Sequence, residues 1–317
     1  MKKLLPFALL FVVCFTSCSD DEDDSSDFSS ERNLLRTLLS IGENESINRL
    51  IINWTEARER VFRIHEQDSY EAAIIEFLTI LDDNHSRYIP TTGEDLLVRN
   101  VSCEGQEYSF NDLPDNVGYV RVDSFLGSGN EAQMYAEDIQ RRISEQDNED
   151  LIGWIVDLSD NIGGNMYPMI AGLGPFFTDD TLGYFIDPLD NAIAWGYAQD
   201  ASFINETIIT RVQNPYQLLD PSKPVAVISS TATTSSGEAT LISFIDRPNT
   251  RIFGSPSCGL STVNTGRELS NGDRLIITTS TMADRNMNVY GVSIIPDETI
   301  IDPSELNTRV IEWLAEQ

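Results

Sequence analysis

Apolar positions first recur at helical spacing along this chain and then at strand spacing. Ser29-Ser-Glu-Arg opens a run that places Leu34, Leu35, Leu38 and Leu39 on one face. Ile47, Leu50, Ile51, Trp54, Ala57, Val61 and Ile64 predict a second helix over 47–66, and Tyr70, Ala73, Ile74, Phe77, Leu78 and Leu81 a third. These stripes read as core, so the first part is expected to be a cap of three short helices. Past about residue 105 the pattern changes. Val117–Val122 reads as a strand, Glu131–Glu145 as a helix with Ala132, Ala136, Ile139 and Ile143 inward, and Ile152–Val156 as a strand. A helix is expected from Met166 to Leu173, then hairpin strands at Tyr184–Ile186, Ala192–Trp195 and Thr207–Thr210. Pro224–Ser229 and Leu275–Ser280 are strands, Ala239–Ile245 a helix and Ser304–Ala315 the last helix. Alternating strands and helices imply an α/β core with a largely parallel sheet.

The N-terminus adds a location. Met1-Lys-Lys precedes an apolar run from Leu4 to Phe15, the length of a signal-peptide core and short for a bilayer span. Thr16-Ser-Cys18 resembles a bacterial lipobox, with Phe15 where Leu is usual, so Cys18 is the expected lipidated residue. Ser19-Asp-Asp-Glu-Asp-Asp-Ser-Ser-Asp27 lacks the apolar residues to build a core and reads as a disordered tether. The expected organisation is a signal peptide at 1–17, the acidic tether at 18–28, a helical domain at 29–98 and an α/β core at 99–317. The expected location is the bacterial envelope, lipid-anchored at the outer membrane. A formal net charge of −30 leaves nothing to offset phosphate repulsion and argues against nucleic acid. Of four cysteines, Cys103 and Cys258 remain once Cys14 leaves with the signal and Cys18 is lipidated. A disulfide in an oxidising compartment and two free thiols are both open. No Cys/His spacing suits a metal, and no phosphate- or dinucleotide-binding signature is complete, so no cofactor is expected.

Three segments carry chemistry. Thr231-Ala-Thr-Thr-Ser-Ser-Gly-Glu-Ala239 lies between an apolar strand and a helix, where a serine is held on a tight turn beside unpaired helix N–H groups. Strand–Ser/Thr turn–helix is also ordinary α/β punctuation. Asp157-Leu-Ser-Asp-Asn-Ile-Gly-Gly-Asn165 follows a strand and opens a helix, and its glycines let backbone N–H groups turn toward a ligand. Leu81-Asp-Asp-Asn-His-Ser-Arg-Tyr88 holds His85, one of only two histidines. The other, His65, reads as a surface residue of the second helix.

Together these segments, over about residues 75 to 300, resemble the tail-specific, or carboxyl-terminal processing, peptidases, a family that includes the tricorn protease core and the interphotoreceptor retinoid-binding repeats. Asp157-Leu-Ser-Asp-Asn-Ile-Gly-Gly164 is similar to the family's Asp-Leu-Arg-x-Asn-x-Gly-Gly. Thr233-Thr-Ser-Ser-Gly-Glu-Ala239 is similar to its Ser/Thr-Ala-Ser-Ala-x-Glu, which implies Ser235 as nucleophile. Arg251-Ile-Phe-Gly-Ser-Pro-Ser-Cys-Gly259 and Gly291-Val-Ser-Ile-Ile-Pro-Asp297 match two further segments. The resemblance implies a crotonase/Clp-protease-like α/β spiral after the helical cap. Where many members carry a lysine base this chain has Leu260, so His85 in Asp83-Asn-His-Ser is the expected base, as in the tricorn-like branch. The implied oxyanion donors are the N–H groups of Gly163 or Gly164 and of Ser236, and the acid beside the histidine is Asp284 or Glu238. Such an acid is expected to raise the histidine's titration above about 6.5. Between Tyr88 and Val117 there is too little chain for a PDZ domain. The resemblance implies a serine peptidase acting on peptides or unfolded proteins. Two alternatives stay open: an inactive binding or scaffold lipoprotein on the same fold, and a hydrolase of small esters.

Overall fold

The computed structural model describes residues 22–106, 108–110, 112–178 and 180–317. The signal segment at 1–17 and Cys18 lie outside the described residues. Helices α1 (Glu22–Glu45), α2 (Trp54–Gln67) and α3 (Tyr70–Leu81) come first. α1 begins inside the acidic segment expected to be an unstructured tether, because a formed helix extends at the gain of one backbone hydrogen bond per residue. α2 starts at Trp54, later than the apolar spacing predicts. Asn53 caps it by accepting a hydrogen bond from the Glu56 N–H, and residues 48–52 form turns instead. The Asn48 side chain ties those turns to the carbonyls of Leu81 and Asp82. Leu50 and Ile51 therefore face solvent, at 61% and 82% exposure, instead of joining the core stripe. Ser69 caps α3. His65 is not a surface residue: it is 5% exposed, stacks on Phe28 at 4.3 Å, and its Nε2 lies 2.8 Å from a Glu31 carboxylate oxygen.

Helix gives way to strand within the region expected to be helical to 98. β1 (Arg87–Ile89) and β2 (Leu96–Leu97) belong to the larger sheet. The remaining elements are β3 (Val117–Arg121), α4 (Gly129–Ser144), β4 (Gly153–Asp157), α5 (Met166–Gly172), β5 (Asp180–Ile186), β6 (Ala192–Ala198), β7 (Ala201–Ile204) and β8 (Thr207–Arg211). After them come β9 (Val225–Ser229), α6 (Ser236–Ile242), β10 (Thr250–Gly254), β11 (Thr262–Glu268), β12 (Arg274–Asp284), β13 (Glu298–Thr299) and α7 (Pro303–Ala315). The fold is α/β with N-terminal helices and a parallel-sheet core, as expected.

Two sheets organise it among the described residues. The parallel sheet has the order β13-β10-β9-β4-β3. Its strands alternate faces: Trp154, Val156, Val225 and Val227 join one cluster with Ile139, Ile143 and Ile170, while Ile155, Ala226 and Ile228 pack on Leu306, Val310 and Trp313. Burial on both sides explains the continuous apolar runs in the sequence. The antiparallel sheet runs β2-β1-β12-β5-β6-β7-β8, with β11 also paired to β12. Thr281 pairs with both Ile186 of β5 and Thr262 of β11, and Leu275 with both Tyr88 of β1 and Arg267 of β11. β1 and β5 therefore share one flank of β12, and β11 takes the other. Leu275, Ile277 and Tyr88 complete the core of the helical cap, so the cap is seated on this sheet.

Candidate active site

The apolar run of β9 ends at Ser229, and the chain must turn at once to start α6. Ser235 is the residue before α6, at φ 55° and ψ −113°. This conformation is uncommon for a residue with a Cβ and persists only where its surroundings over-determine it. They do so here. The Thr234 N–H donates to the Asn161 carbonyl (2.9 Å), the Ser235 N–H to Glu238 Oε2 (2.9 Å) and the Ser236 hydroxyl to the Gly164 carbonyl (2.6 Å). Thr233 Oγ1 donates to the Leu158 carbonyl, and the Ser230 hydroxyl to that of Ser159. The turn after β4 and the turn after β9, separate motifs in the sequence, are one hydrogen-bonded unit.

Gly163 and Gly164 both have positive φ, 102° and 119°. A Cβ on Gly163 would lie 3.1 Å from the Ser235 Cβ, and one on Gly164 would overlap the Phe125 carbonyl. Their N–H groups differ. That of Gly163 already donates to Asn161 Oδ1 (3.0 Å). Those of Gly164 and of Ser236, the first residue of α6, have no partner among the described residues. Of the two glycines, only Gly164 keeps a free donor.

His85 lies beyond α3. Asp82 and Asn84 turn the chain with left-handed φ, and the Asp83 carboxylate accepts the N–H groups of His85 (3.0 Å) and Ser86 (2.7 Å). The imidazole Nδ1 is 2.8 Å from Thr262 Oγ1 at the start of β11. Burial, and then the charges of Arg99 and Arg87, push the imidazole down to about 4, so it is neutral at physiological pH. This reverses the upward shift expected from a neighbouring acid.

Neither expected acid touches His85. Asp284 is buried and accepts from the N–H groups of Asn286 and Asn288, the Asn288 amide and the Tyr290 hydroxyl, which closes its own turn. Glu238 reaches back under the nucleophile turn. Besides the Ser235 N–H it accepts from Ser257 Oγ (2.6 Å) and the Gly259 N–H (2.8 Å). Burial raises its carboxyl to about 7, against the pull of these donors. Thr262 takes the place expected for an acid. The sequence gives little sign of it, since β11 is mostly polar and carries no apolar period that marks a strand.

Ser235 and His85 open onto one cleft of about 800 Å³, also lined by Gly163, Gly164, Ser236, Leu260 and Thr262. Leu260 is buried in its wall. Lys223, the one lysine after the signal region, bonds the carbonyls of Asn148 and Glu149 and is not among the residues lining the cleft. Cys103 and Cys258 form a disulfide. It joins the loop before β3 to the turn that holds Glu238, and the Cys258 N–H donates to the Thr233 carbonyl (3.0 Å).

The family model of Peptidase family S41 matches residues 116–300. A nisin-resistance protein from Lactococcus lactis is 28% identical over 207 residues, 65% of this chain and 62% of that protein. The chain thus spans less than two thirds of that relative. A lipoprotein from Streptococcus agalactiae shares the fold with a TM-score of 0.67 and 23% identity, over 90% of this chain and 96% of that one. The photosystem II D1 C-terminal processing protease does so with a TM-score of 0.57 and 15% identity, over 90% and 97%.

Proposed function

Because the chain belongs to peptidase family S41, we propose that it is a lipid-anchored serine peptidase of the bacterial envelope, tethered through Cys18. Ser235 attacks a peptide carbonyl, and His85 takes the hydroxyl proton and returns it to the leaving amine. With Nδ1–H donating to Thr262 Oγ1, Nε2 keeps its lone pair for that proton. The oxyanion falls to the N–H groups of Gly164 and Ser236. Water then releases the acyl group from Ser235 by the reverse sequence.

The observation that carries this reading is the strained Ser235, fixed by hydrogen bonds on both sides, in one cleft with a neutral histidine. A lipoprotein with the same fold and a relative named for nisin resistance support the envelope setting and a peptide substrate. Among the described residues no carboxylate bonds the His85 imidazole, which favours a second reading, an inactive binding protein on the same fold. Labelling of the intact protein with a fluorophosphonate, followed by peptide mapping, separates the two. An adduct on Ser235 is expected. No adduct under conditions that label a control serine hydrolase supports the binder.

A further inference from the structure

The cleft is cationic in a strongly acidic protein. The chain has 51 acidic and 21 basic residues, yet among the described residues the cleft lining contains Arg87, Arg99 and Arg274 and neither aspartate nor glutamate. The sheet register makes this arrangement. Arg87 on β1 faces Ile276 on β12, Arg274 lies two residues along on the same face, and Gly266 on β11 also faces Ile276. The Arg274 guanidinium lies against Gly266, 3.5 Å from where a Cβ would stand. Arg99 reaches the same wall from the loop after β2, donating to the Asn84 carbonyl at 3.3 Å.

These charges are poorly neutralised. Arg87 meets Asp95 at 3.9 Å, both side chains exposed, a pairing of little strength. Glu268 is opposite Arg274 in the register, but among the described residues no ion pair joins them and the Arg274 guanidinium makes no hydrogen bond. Partial burial, and then the neighbouring charge of Arg87, disfavour the charge on Arg99. Guanidinium groups on one wall with only a weak counter-charge suit an anion that arrives with the ligand, and their planar forks match a carboxylate. The net charge of −30 opposes an acidic peptide at long range. That repulsion is screened over about 8 Å at physiological salt, whereas the arginines act at contact.

The geometry points to Arg87, Arg99 and Arg274 as a specificity subsite that binds a substrate carboxylate, either the free C-terminus of a peptide or an acidic side chain. This inference rests on the peptidase reading of the cleft, and binding and chemistry are therefore measured apart. Dissociation constants are taken by fluorescence anisotropy with the full-length Ser235→Ala protein, which needs no turnover. The probes are a fluorescein-labelled alanine hexapeptide as free acid, the same peptide as C-terminal amide, and amides with one internal Glu or Gln. At least one carboxylate peptide is expected to bind about ten-fold more tightly than its neutral twin. Adding Arg87→Gln, Arg99→Gln and Arg274→Gln should bring that ratio to about one. The acid/amide pair and the Glu/Gln pair identify which carboxylate is read. Equal affinities within both pairs, or no binding by any probe, overturn the inference, whatever the triple variant does. A ratio that survives in the triple variant likewise overturns the inference. The expected ratio in Ser235→Ala, abolished in the triple variant but without fluorophosphonate labelling of the wild type, overturns the peptidase reading alone.

Discussion

Ser235 stands between β9, all five of whose residues are buried, and α6, all seven of whose residues are buried. His85 stands on a half-buried turn between the helical cap and the antiparallel sheet, and among the described residues its imidazole makes one hydrogen bond, to Thr262. The nucleophile's geometry is fixed by many bonds from two adjacent turns. The base is positioned by few, and its surroundings disfavour its charged form. The contrast separates two tasks: a strained serine needs a rigid scaffold, whereas a base needs a lone pair at working pH and a defined tautomer. In the proposed mechanism Thr262 supplies the tautomer, and burial with the arginines keeps the lone pair.

The largest expected effect breaks the rigid side. Ser235→Ala should lower kcat by a factor on the order of 10⁴ to 10⁶, with an unchanged far-UV spectrum, in a peptide-cleavage assay. Loss in Ser236→Ala with activity kept in Ser235→Ala would move the nucleophile by one residue. His85→Ala is expected to be nearly as severe, since members of one catalytic unit fail together. His65→Ala should leave kcat/KM alone and remove about 1–3 kcal/mol of stability, because it leaves the Glu31 carboxylate without its partner. Equal, mild losses of rate in both histidine variants would end the assignment of His85.

Smaller effects sharpen the contrast. Thr262→Val keeps the shape of the side chain and deletes its hydroxyl. A loss of about ten-fold in kcat/KM is expected, the worth of one ordinary hydrogen bond, and wild-type rates in this variant would remove Thr262 from the mechanism. With His85 held at about 4, the acid limb of kcat/KM should centre near that value and move upward in Arg99→Gln. A limb above 6.5 in the wild type would show that a carboxylate does reach the imidazole.

The smallest effect reports on Glu238. Its folded-state value of about 7 lies above its ordinary 4.5. The folded protein therefore keeps this proton longer than the unfolded chain, and the contribution to stability is complete below about 4.5 and lost as pH rises through about 7. His85 has the opposite slope, present above 6.5 and lost as pH falls through about 4. The stability difference between wild type and Glu238→Gln isolates the first term. By urea denaturation that difference should shrink from pH 5 to pH 8, and a constant difference would mean that Glu238 is ionised throughout.

Much of this was legible before any fold was known. The buried strands β4 and β9 are continuous apolar runs, and each ends in a turn of small polar residues whose spacing only a few architectures use. That is local information, and local sequence states it. Ser235, the pair Gly163 or Gly164 and the candidacy of His85 followed from it together with the family resemblance. The partners of those residues did not. Thr262 meets His85 across 177 positions, and Glu238 turns toward Ser257 and Gly259 instead of the histidine. His65 is buried only because Phe28 and Glu31 of another helix cover it. The arginine wall exists only through the register of β1 on β12. By itself the sequence determined most of the helices and buried strands, the two glycine- and serine-rich turns and the residue types able to do chemistry, because backbone preference and hydrophobic period act over a few residues. Tertiary structure alone decided who faces whom, because register, burial and charge environment are set by residues that are distant in the chain.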